Sequence, residues 1–354
     1  MVIEEVQVYL VLAPEVARPS VVVKILTNEG IYGVSEVSPW TAYGESPYAA
    51  AATVAHVFGP RLLGRNPLDY AVLIQDLEQS FWAHVQARAC VDLALHDLAG
   101  RLLGVPIWAL LGGRARTRVQ VQGNAYGRTP EECAEKARLL MEAGYRAVKT
   151  GAGGSPEAAL ERVRAIREAV GDQCKVRVDA YQSWSVNEAI QTIRKLGRYG
   201  VEYVEQPIRR GNVRDLVRVR EAVEVPIMAD ESLVLVEDAW ELARQGAVDL
   251  FNVRAMKGGF RHSLRLATIG ETAGISTVVG SAPEMSLGSA AGLHLAAVLA
   301  SANAAELYGF TYFANDIVLE RPQIVEGWLE VPDGPGLGVE LDNERLLAVA
   351  TRVS

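Results

Sequence analysis

The sequence predicts an α/β protein in which a small N-terminal α+β domain precedes a closed barrel of eight βα units. Two observations support this fold class. Residues with strand-like alternation come first and are followed by segments with helical spacing, which is the order of an α+β domain. From Val119 onward, eight short runs rich in β-branched residues alternate with helix-period segments. Their repeat of roughly 25 to 30 residues is the size of a barrel unit.

The N-terminal domain begins with two strand-like stretches and a tight turn. "VQVYLVL" is followed by "SVVVKILTNEGIYGVSEV", and the turn signal at residues 28–30 predicts an antiparallel meander. Apolar residues then recur every three or four positions, which indicates helices, and Gly64 and Gly104 suit helix ends. The helix-period segments are "SPYAAAATVAHVFGPRLLG", "PLDYAVLIQDLEQS" and "AHVQARACVDLALHDLAGRLLG".

The barrel is predicted over residues 118–320. Each strand is a short apolar run, and the segments between runs have helical spacing, as in "PEECAEKARLLMEAG". The tail over residues 321–354 is again strand-like and rich in turns, so we expect it to return to the first domain, residues 1–117. The eight predicted strands are "RVQVQGN", "RAVKTG", "KVRVDA", "VEYVEQP", "PIMADES", "DLFNVRA", "ISTVVGS" and "NAAELYG".

The composition indicates a globular protein whose partner is a small molecule. The 354 residues are 49% hydrophobic and 22% charged, a balance typical of an ordered chain. The net charge is −8 and there is no basic run, so neither nucleic acid nor an anionic membrane is an expected partner. Glu4 and Glu5 interrupt the first apolar stretch, which argues against a signal peptide, and three dispersed cysteines argue against a disulfide framework. We therefore expect a cytoplasmic protein.

Three acidic residues end successive predicted barrel strands. Asp179, Glu205 and Asp230 are separated by 26 and 25 residues, one βα repeat each. In a parallel barrel the carboxyl ends of the strands form one active-site mouth. Carboxylates that share this mouth repel one another unless a cation joins them, and oxygen ligands select a hard ion such as Mg²⁺, with Mn²⁺ as the alternative. A single acid at a strand end is more often a helix cap or a loop salt bridge, but three in register favour a metal site.

Two neighbouring acids are less suitable as ligands. Glu202 lies three positions before Glu205, and the alternation of a strand places it on the opposite face. Glu231 follows Asp230 at the start of the next loop, where we expect it to support the ligands and not to bind the ion itself.

Several stretches around these acids occur together in one known group of proteins. They are "VRVDA", "VEYVEQPI", "PIMADES", "NVRAMKGG", "RACVDLALHDLAGRLLGVPIWALLGG" and "EMSLGSAAGLHLAA". On these stretches the chain resembles the enolase superfamily, and within it the muconate lactonizing enzyme subgroup, over essentially its whole length. The resemblance implies a modified TIM barrel, an N-terminal capping domain and a homo-oligomer, either a dimer or an octamer. It also implies that the three acids hold Mg²⁺, which binds a substrate carboxylate and stabilises an enolate.

The subgroup carries two lysines that handle protons across the site, and this sequence departs from that pattern at both. Lys149 matches the first lysine of the Lys-x-Lys motif on strand two, but Gly151 stands where the second, proton-handling lysine is expected. Arg254 stands in place of the strand-six lysine. Because an arginine keeps its proton at any working pH, Arg254 can pair with an anion but is a poor base.

The remaining lysine leaves two hypotheses open. Lys149, with its pKa lowered by the neighbouring ion, takes or delivers a proton on one face of the substrate, or it only neutralises the enolate, its usual task in this family. Lys257 lies beyond the strand end in "MKGG", where a loop position is expected. The stretch "AVKTGAGG" is not a phosphate-binding loop, because its glycines follow the lysine instead of preceding it.

Two other side chains are candidates for proton donation or for ordering the site. Tyr181 lies two positions after Asp179 on the same side, and it either donates from its phenol or forms a wall of the site. Glu284 follows strand seven and resembles a glutamate of this subgroup that orients strand six or the substrate. No histidine stands at the end of strand seven, where mandelate racemase-like relatives carry their base.

Two loops of the first domain, residues 13–20 and 40–46, match the covering loops of this family by position. Arg18 is a candidate contact for an anionic substrate tail, although an arginine in a Pro-flanked loop is more often solvated. Trp40 and Tyr43 are expected to form an aromatic wall. Substrate selection is therefore expected to depend on these loops.

These residues predict a Mg²⁺-dependent isomerase or lyase that acts on a small carboxylate through an enolate. Gly151 and Arg254 replace both proton-handling lysines, so a racemisation, which needs a base on each face of the α-carbon, is disfavoured. Cycloisomerisation or a one-base elimination is favoured instead. One alternative is a non-catalytic relative that binds metal and carboxylate but has lost proton transfer. The other is an epimerase or racemase with a relocated base.

Overall fold

The N-terminal region contains a four-stranded antiparallel sheet. The computed structural model describes residues 1–13, 15–16, 18–300 and 305–354. The strands β1 (Ile3–Val11), β2 (Ser20–Thr27) and β3 (Tyr32–Val37) pair in chain order, which confirms the predicted meander. The last strand of the chain, Ala350–Arg352, pairs with β1 at the edge of the sheet. The end of the C-terminal tail therefore lies in the first sheet.

Five helices follow this sheet between residues 47 and 110. Gly64 and Gly104 both have a positive φ, +76° and +69°, and each follows a helical segment, as predicted. A π-helical turn, Val54–Phe58, joins the first two helices. The helices are α1 (Pro47–Thr53), α2 (Gly59–Leu62), α3 (Tyr70–Ser80), α4 (Val85–Leu103) and α5 (Ile107–Leu110).

Strand β3 approaches helix α4 closely at Gly33. A Cβ atom at this glycine would lie 2.5 Å from Leu98 Cβ and closer still to the carbonyl oxygen of Ala94. We expect Gly33→Ala to lower the free energy of unfolding by about 1–3 kcal/mol, because the obstructing atoms are largely backbone. Denaturant unfolding measures this change. Gly153→Ala is the control, since its nearest neighbour would lie 3.9 Å away, and equal stability of the two variants would contradict the close approach.

The second region is a parallel barrel whose strands follow one another in chain order. Within the described residues, β5 to β11 form a continuous parallel sheet of seven strands. Of the eighth predicted strand, residues 303 and 304 lie outside the described residues. The seven strands are β5 (Gly123–Asn124), β6 (Ala147–Gly151), β7 (Lys175–Asp179), β8 (Val201–Glu205), β9 (Ile227–Ala229), β10 (Leu250–Val253) and β11 (Ser276–Val279). The short strand β4 (Arg118–Gln120) precedes them and lies in another sheet.

Ala305 and Glu306 of the eighth run close the ring between the two ends of this sheet. The Ala305 N–H donates to the Gln120 carbonyl (2.8 Å), and the Gln122 N–H donates to the Ala305 carbonyl (2.9 Å). On the other side, the Glu306 N–H donates to the carbonyl of Val279 in β11 (2.9 Å). The predicted barrel of eight units is therefore confirmed, and its last run brings an acidic residue to the level of the strand ends.

Part of the C-terminal tail pairs with β4 in a two-stranded sheet that is separate from the seven-stranded sheet. Strand β12 (Trp328–Glu330) pairs antiparallel with β4, an arrangement that the sequence did not predict. We retain the boundaries at 117/118 and 320/321 as a proposal. Within the described residues, no helix has the length and hydropathy needed to span a membrane.

Side-chain caps begin several of the barrel helices. The hydroxyl oxygens of Thr129 and Ser155 accept from backbone N–H groups three residues further on, and Ser185 forms a reciprocal capping box with Glu188. The helices of the barrel and tail are α6 (Pro130–Glu142), α7 (Pro156–Val170), α8 (Val186–Gly197), α9 (Val213–Glu221), α10 (Val236–Gln245), α11 (Gly259–Thr272), α12 (Ser286–Val298) and α13 (Asn343–Val349).

The strand register brings the predicted site residues to one edge of the barrel. Gly151 in β6 lies opposite Asp179 in β7, and Asp179 lies opposite Glu205 in β8. Asp230 directly follows β9, and Arg254 directly follows β10. Because parallel strands end at the same edge, these residues surround the mouth of the barrel.

Candidate active site

Four buried carboxylates meet at the carboxyl ends of the barrel strands. Three are the predicted metal ligands Asp179, Glu205 and Asp230, each at most 4% exposed. The fourth is Glu306 from the eighth run, which the sequence analysis missed and which is 1% exposed. Inspection of the whole predicted run, and not only of its end, could have found it, because Glu306 also lies in a predicted strand that ends at the mouth.

Lys149 binds three of these carboxylates at once. Its Nζ lies 3.1 Å from Asp179 Oδ2 and 2.8 Å from Glu306 Oε1, and it also contacts Glu205 Oε2. Burial disfavours the charged form, but the three acids more than offset it and raise the pKa of Lys149 well above its ordinary value. The protein's own groups therefore shift this pKa in the direction opposite to the one expected from the sequence, and Lys149 is held as a cation.

Arg254 points into the same cluster from the end of β10. Its Nη2 lies 2.6 Å from Asp230 Oδ2, 3.4 Å from Glu205 Oε1 and 3.8 Å from Glu306 Oε2. Its other terminal nitrogen donates to the carbonyl of Ser281. Arg254 is 5% exposed, so its charge is neutralised by protein carboxylates more than by solvent.

Lys257 is not in an open loop, and that expectation was wrong. Its Nζ donates to Asp230 Oδ1 (2.6 Å) and to the carbonyls of Asp230 (2.8 Å), Leu233 (3.1 Å) and Asn252 (3.2 Å). The reason is a 3₁₀ turn, Ala255–Lys257, which carries the lysine back under the strand ends. Lys257 is fully buried and acts as a fixed partner of Asp230.

Asp230 is the most strongly stabilised anion of the cluster. Burial alone would raise its pKa, but Arg254, Lys257 and a hydrogen bond from the Tyr43 hydroxyl hold the pKa of Asp230 well below its ordinary value. The Tyr43 hydroxyl donates to Asp230 Oδ2 at 2.8 Å. Tyr43 is 2% exposed and does not face the cavity, so its predicted role as an aromatic wall is corrected to a hydrogen-bond donor.

The other two predicted ligands, Asp179 and Glu205, have raised pKa values. Burial and the charges of Asp179 and Glu306 raise the pKa of Glu205 well above its ordinary value, although Lys149 is in contact. Burial also raises the pKa of Asp179, and Lys149 offsets this only in part. Burial is the largest cause for both acids, so the protein stabilises their charged forms less than it stabilises that of Asp230.

Two amide side chains complete the cluster. Asn252 Nδ2 donates to Glu205 Oε1 (2.7 Å) and to Glu306 Oε2 (3.2 Å), and Gln122 Nε2 donates to Glu306 Oε1 (3.2 Å). Sequence reasoning missed both, because an amide inside an apolar strand has no distinctive spacing. They fix the orientation of two carboxylates without adding charge.

A cavity of about 230 Å³ opens in front of the cluster. Lys149, Asp179, Arg254 and Glu306 form its polar floor. The remaining lining residues are Arg18, Trp40, Asn124, Tyr126, Tyr181, Ser281, Ala282, Pro283, Tyr308 and Tyr312. The structure therefore brings predicted residues of the covering loops and of the strand ends to one cavity.

Two phenols cover the face on which Gly151 replaces the expected lysine. A Cβ atom on Gly151 would lie 3.4 Å from Tyr181 Cε2 and 3.8 Å from Tyr126 Cε1. The Tyr181 hydroxyl donates to the Tyr126 hydroxyl at 2.8 Å, and the backbone N–H of Tyr181 donates to Asp179 Oδ1 at 3.1 Å. Burial raises the pKa of both tyrosines above the ordinary value, so both keep their protons at neutral pH.

The covering loops supply one cation and one indole to the cavity. Arg18 Nε donates to Ser38 Oγ at 3.2 Å, and its guanidinium lies 5.1 Å from the centre of the Trp40 ring. Residues 14 and 17 of the first loop lie outside the described residues. Arg18 therefore lines the cavity, and its contact with an anionic substrate stays a prediction.

Glu284 is buried beside the two arginines of the cavity. Burial raises the pKa of Glu284 to about 7, although the charges of Arg254 and Arg18 act in the opposite direction. It is not among the residues that line the cavity, although its neighbour Pro283 is. This position suits the predicted ordering role better than direct contact with a substrate.

The two acids excluded as ligands lie outside the cluster. Glu202 binds Lys175 and Arg177, both at 2.6 Å, and so faces away from the mouth. Glu231 accepts from Gln182 Nε2 at 3.1 Å. Burial and the charge of Asp230 raise the pKa of Glu231 to about 7.

The three predicted ligands have the donor atoms that a hard divalent ion prefers. Asp179, Glu205 and Asp230 supply only oxygen ligands. Burial is the main cause of the raised pKa of Asp179 and of Glu205, and a bound cation would favour the ionised form of both. Lys149 and Arg254 nevertheless stand between the acids. Among the described residues, no three acid, histidine or cysteine side chains surround a position open to an ion. Binding of an ion would require at least one of these cations to move.

Two family models match the chain. The model of the mandelate racemase/muconate lactonizing enzyme N-terminal domain matches residues 10–112. The enolase C-terminal domain-like model matches residues 132–345. Together they span both regions of the fold described above.

The chain is also similar to characterised proteins over nearly its full length. It is 36% identical to muconate cycloisomerase 1 of Pseudomonas putida, covering 94% of this chain and 90% of that protein. It is 30% identical to an N-succinyl-L-Arg/Lys racemase of Bacillus cereus, covering 93% of this chain and 89% of that protein. It is 35% identical to a hydrophobic dipeptide epimerase of Enterococcus faecalis, covering 90% of this chain and 91% of that protein. The crystal structure of muconate cycloisomerase from Pseudomonas fluorescens superimposes with a TM-score of 0.95 at 34% identity, covering 99% of each chain.

Proposed function

The chain belongs to the mandelate racemase and muconate lactonizing enzyme family of the enolase superfamily, and it is an enzyme. From this premise we propose that it is a Mg²⁺-dependent isomerase or lyase that transfers a proton on one face of a small carboxylate. One observation carries the proposal. The face next to Gly151 is covered by Tyr126 and Tyr181, while the charged groups of the site lie on the cluster side.

Asp179, Glu205 and Asp230 are the residues that would hold the ion. When bound, Mg²⁺ supplies positive charge that stabilises an anionic substrate as further negative charge develops on it. Lys149 provides a second positive charge beside the same acids. Its raised pKa favours the ammonium form, which supports a role in delivering a proton more than in removing one.

The opposite face lacks a suitable base among the described residues that line the cavity. Tyr126 and Tyr181 keep their protons, so they can donate hydrogen bonds but do not accept a proton at neutral pH. Inversion of a carbon centre by two bases requires one proton acceptor on each face. The arrangement therefore supports chemistry on one face and disfavours an epimerase or racemase.

A cycloisomerase-like reaction fits these groups best. An internal addition to an unsaturated carboxylate needs one delivered proton, which Lys149 can supply, and no base on the second face. Muconate and chloromuconate cycloisomerases are among the similar proteins, which supports this choice. A one-base elimination is the second form of the proposal, and the hypothesis of a non-catalytic relative is not supported by these comparisons.

The stereochemistry of deuterium incorporation during turnover in D₂O tests the proposal. We expect the Mg²⁺-loaded protein to convert muconate, the compound named in the relative, with deuterium entering one stereochemical position of the product, as observed by NMR. We expect N-succinyl-L-arginine and a hydrophobic L,L-dipeptide to be returned without inversion. Asp179→Asn is the control and should be inactive. Inversion of either amino-acid compound would contradict one-face chemistry and establish a second base.

A further inference from the structure

Every carboxylate oxygen of the proposed metal ligands already has a partner within the protein. Asp179 Oδ1 accepts from a backbone N–H, and Asp179 Oδ2 and Glu205 Oε2 bind Lys149. Asp230 Oδ1 binds Lys257. The two remaining oxygens, Glu205 Oε1 and Asp230 Oδ2, are both contacted by Arg254.

Arg254 is the cation that links two of the proposed ligands at the point where an ion would have to join them. Its Nη2 bridges Glu205 Oε1 (3.4 Å) and Asp230 Oδ2 (2.6 Å), and it also approaches Glu306. Lys257 contacts only one of these three acids, through the oxygen of Asp230 that Arg254 leaves free. Lys149 does not contact Asp230.

We propose that Arg254 is an internal counter-cation that competes with Mg²⁺ for the oxygens of Glu205 and Asp230, and so weakens the metal affinity of this site. The inference rests on the proposed function, because it assumes that Asp179, Glu205 and Asp230 are the ligands. It adds a residue that sets how tightly they bind the ion.

The surroundings of Arg254 explain how the guanidinium reaches the acids and where it can go. A Cβ atom on Gly280 would lie 2.0 Å from Asn252 Oδ1 and 3.0 Å from Arg254 Nε, so the glycine leaves space that both side chains use. The Nε itself is buried without a hydrogen-bond partner among the described residues. Arg254 also lines the cavity, so it has room to withdraw toward a bound carboxylate. The present position is therefore one that a competing ion can displace.

The net charge of the cluster predicts that removing Arg254 raises the affinity for Mg²⁺. Asp179, Glu205, Asp230 and Glu306 face the three cations Lys149, Arg254 and Lys257, which leaves one surplus negative charge. Removing Arg254 leaves two. At separations of about 3–4 Å, one unit charge in a partly buried site changes the affinity for a divalent ion by at least about tenfold.

Isothermal titration of the metal-stripped full-length protein with MgCl₂ tests the inference. We expect Arg254→Met to bind Mg²⁺ at least about tenfold more tightly than wild type. Arg18→Met is the matched control, because Arg18 lines the same cavity but has no contact with the three acids, and its affinity should change much less. If Arg254→Met does not fold, as judged by circular dichroism, Arg254→Gln replaces it in the same titration.

Three outcomes would overturn the inference, and they separate it from the proposed function. If wild type binds Mg²⁺, Asp179→Asn does not, and Arg254→Met binds no more tightly than wild type, competition by Arg254 is wrong while the metal site stands. If Arg18→Met and Arg254→Met tighten binding equally, the effect is one of net charge and not of shared oxygens. If neither wild type nor Arg254→Met binds Mg²⁺, the metal site of the proposed function fails as well.

Discussion

Glu205→Gln is expected to reduce turnover by about 10³-fold or more while the fold is retained. The substitution removes one of three charged oxygen ligands, and the stabilisation that a metal ion gives to a developing anion is worth several kcal/mol. The fold should tolerate it, because burial and the neighbouring acids Asp179 and Glu306 already raise the pKa of Glu205. A neutral amide of the same size relieves this repulsion.

The measurement for Glu205→Gln combines steady-state turnover of muconate with thermal unfolding. Glu202→Gln is the matched control, because it removes a carboxylate from the same strand that binds Lys175 and Arg177 away from the mouth. We expect this control to keep near-wild-type turnover. Full activity of Glu205→Gln, or equal loss in the two variants, would contradict the assignment of Glu205 as a ligand.

The acids at the strand ends could be predicted because their spacing and their position in the fold are linked. Asp179, Glu205 and Asp230 each follow a run whose length and composition identify a barrel strand, and parallel strands place successive ends at one edge. Arg254 was identified in a different way, by its match to the strand-six lysine of the family, and its contacts with the acids come from the structure. Glu306 was missed because it lies in the middle of the eighth run, where Leu307 and Tyr308 follow it, and not at the end of the run.

The hydrogen-bond and ion-pair partners of these acids could not be predicted from the sequence. The hydrogen bond between Tyr43 and Asp230 joins residues 187 positions apart, in two regions of the chain with different secondary-structure patterns. No local residue spacing predicts such a contact. Lys257 was placed in a loop because its position lies beyond the strand, whereas the 3₁₀ turn Ala255–Lys257 returns it to the cluster. Which cation takes which oxygen depends on how the closed barrel packs, so charge pairing is the part of this site that only the structure supplies.

Lys149→Met is expected to lower the free energy of unfolding by about 3–5 kcal/mol at pH 7 in the presence of EDTA. The lysine is 2% exposed and contacts Asp179, Glu205 and Glu306, so its removal leaves three buried carboxylates without their shared cation. Denaturant unfolding measures the loss. Lys175→Met is the control, because this lysine is 58% exposed and its pair with Glu202 contributes less than about 1 kcal/mol.

The pH dependence distinguishes loss of this cation from loss of packing. The folded-state pKa of Lys149 is raised, so its contribution to stability is fully present below the ordinary lysine pKa and is lost only as the pH rises through the folded value. Wild type should therefore not lose this contribution between pH 5 and 8. In Lys149→Met the pKa values of Asp179 and Glu205, already raised, rise further, and protonation at low pH relieves the repulsion. We expect the deficit of the variant to be smaller at pH 5 than at pH 8, whereas a deficit independent of pH would mean that Lys149 stabilises the fold by packing its methylene groups.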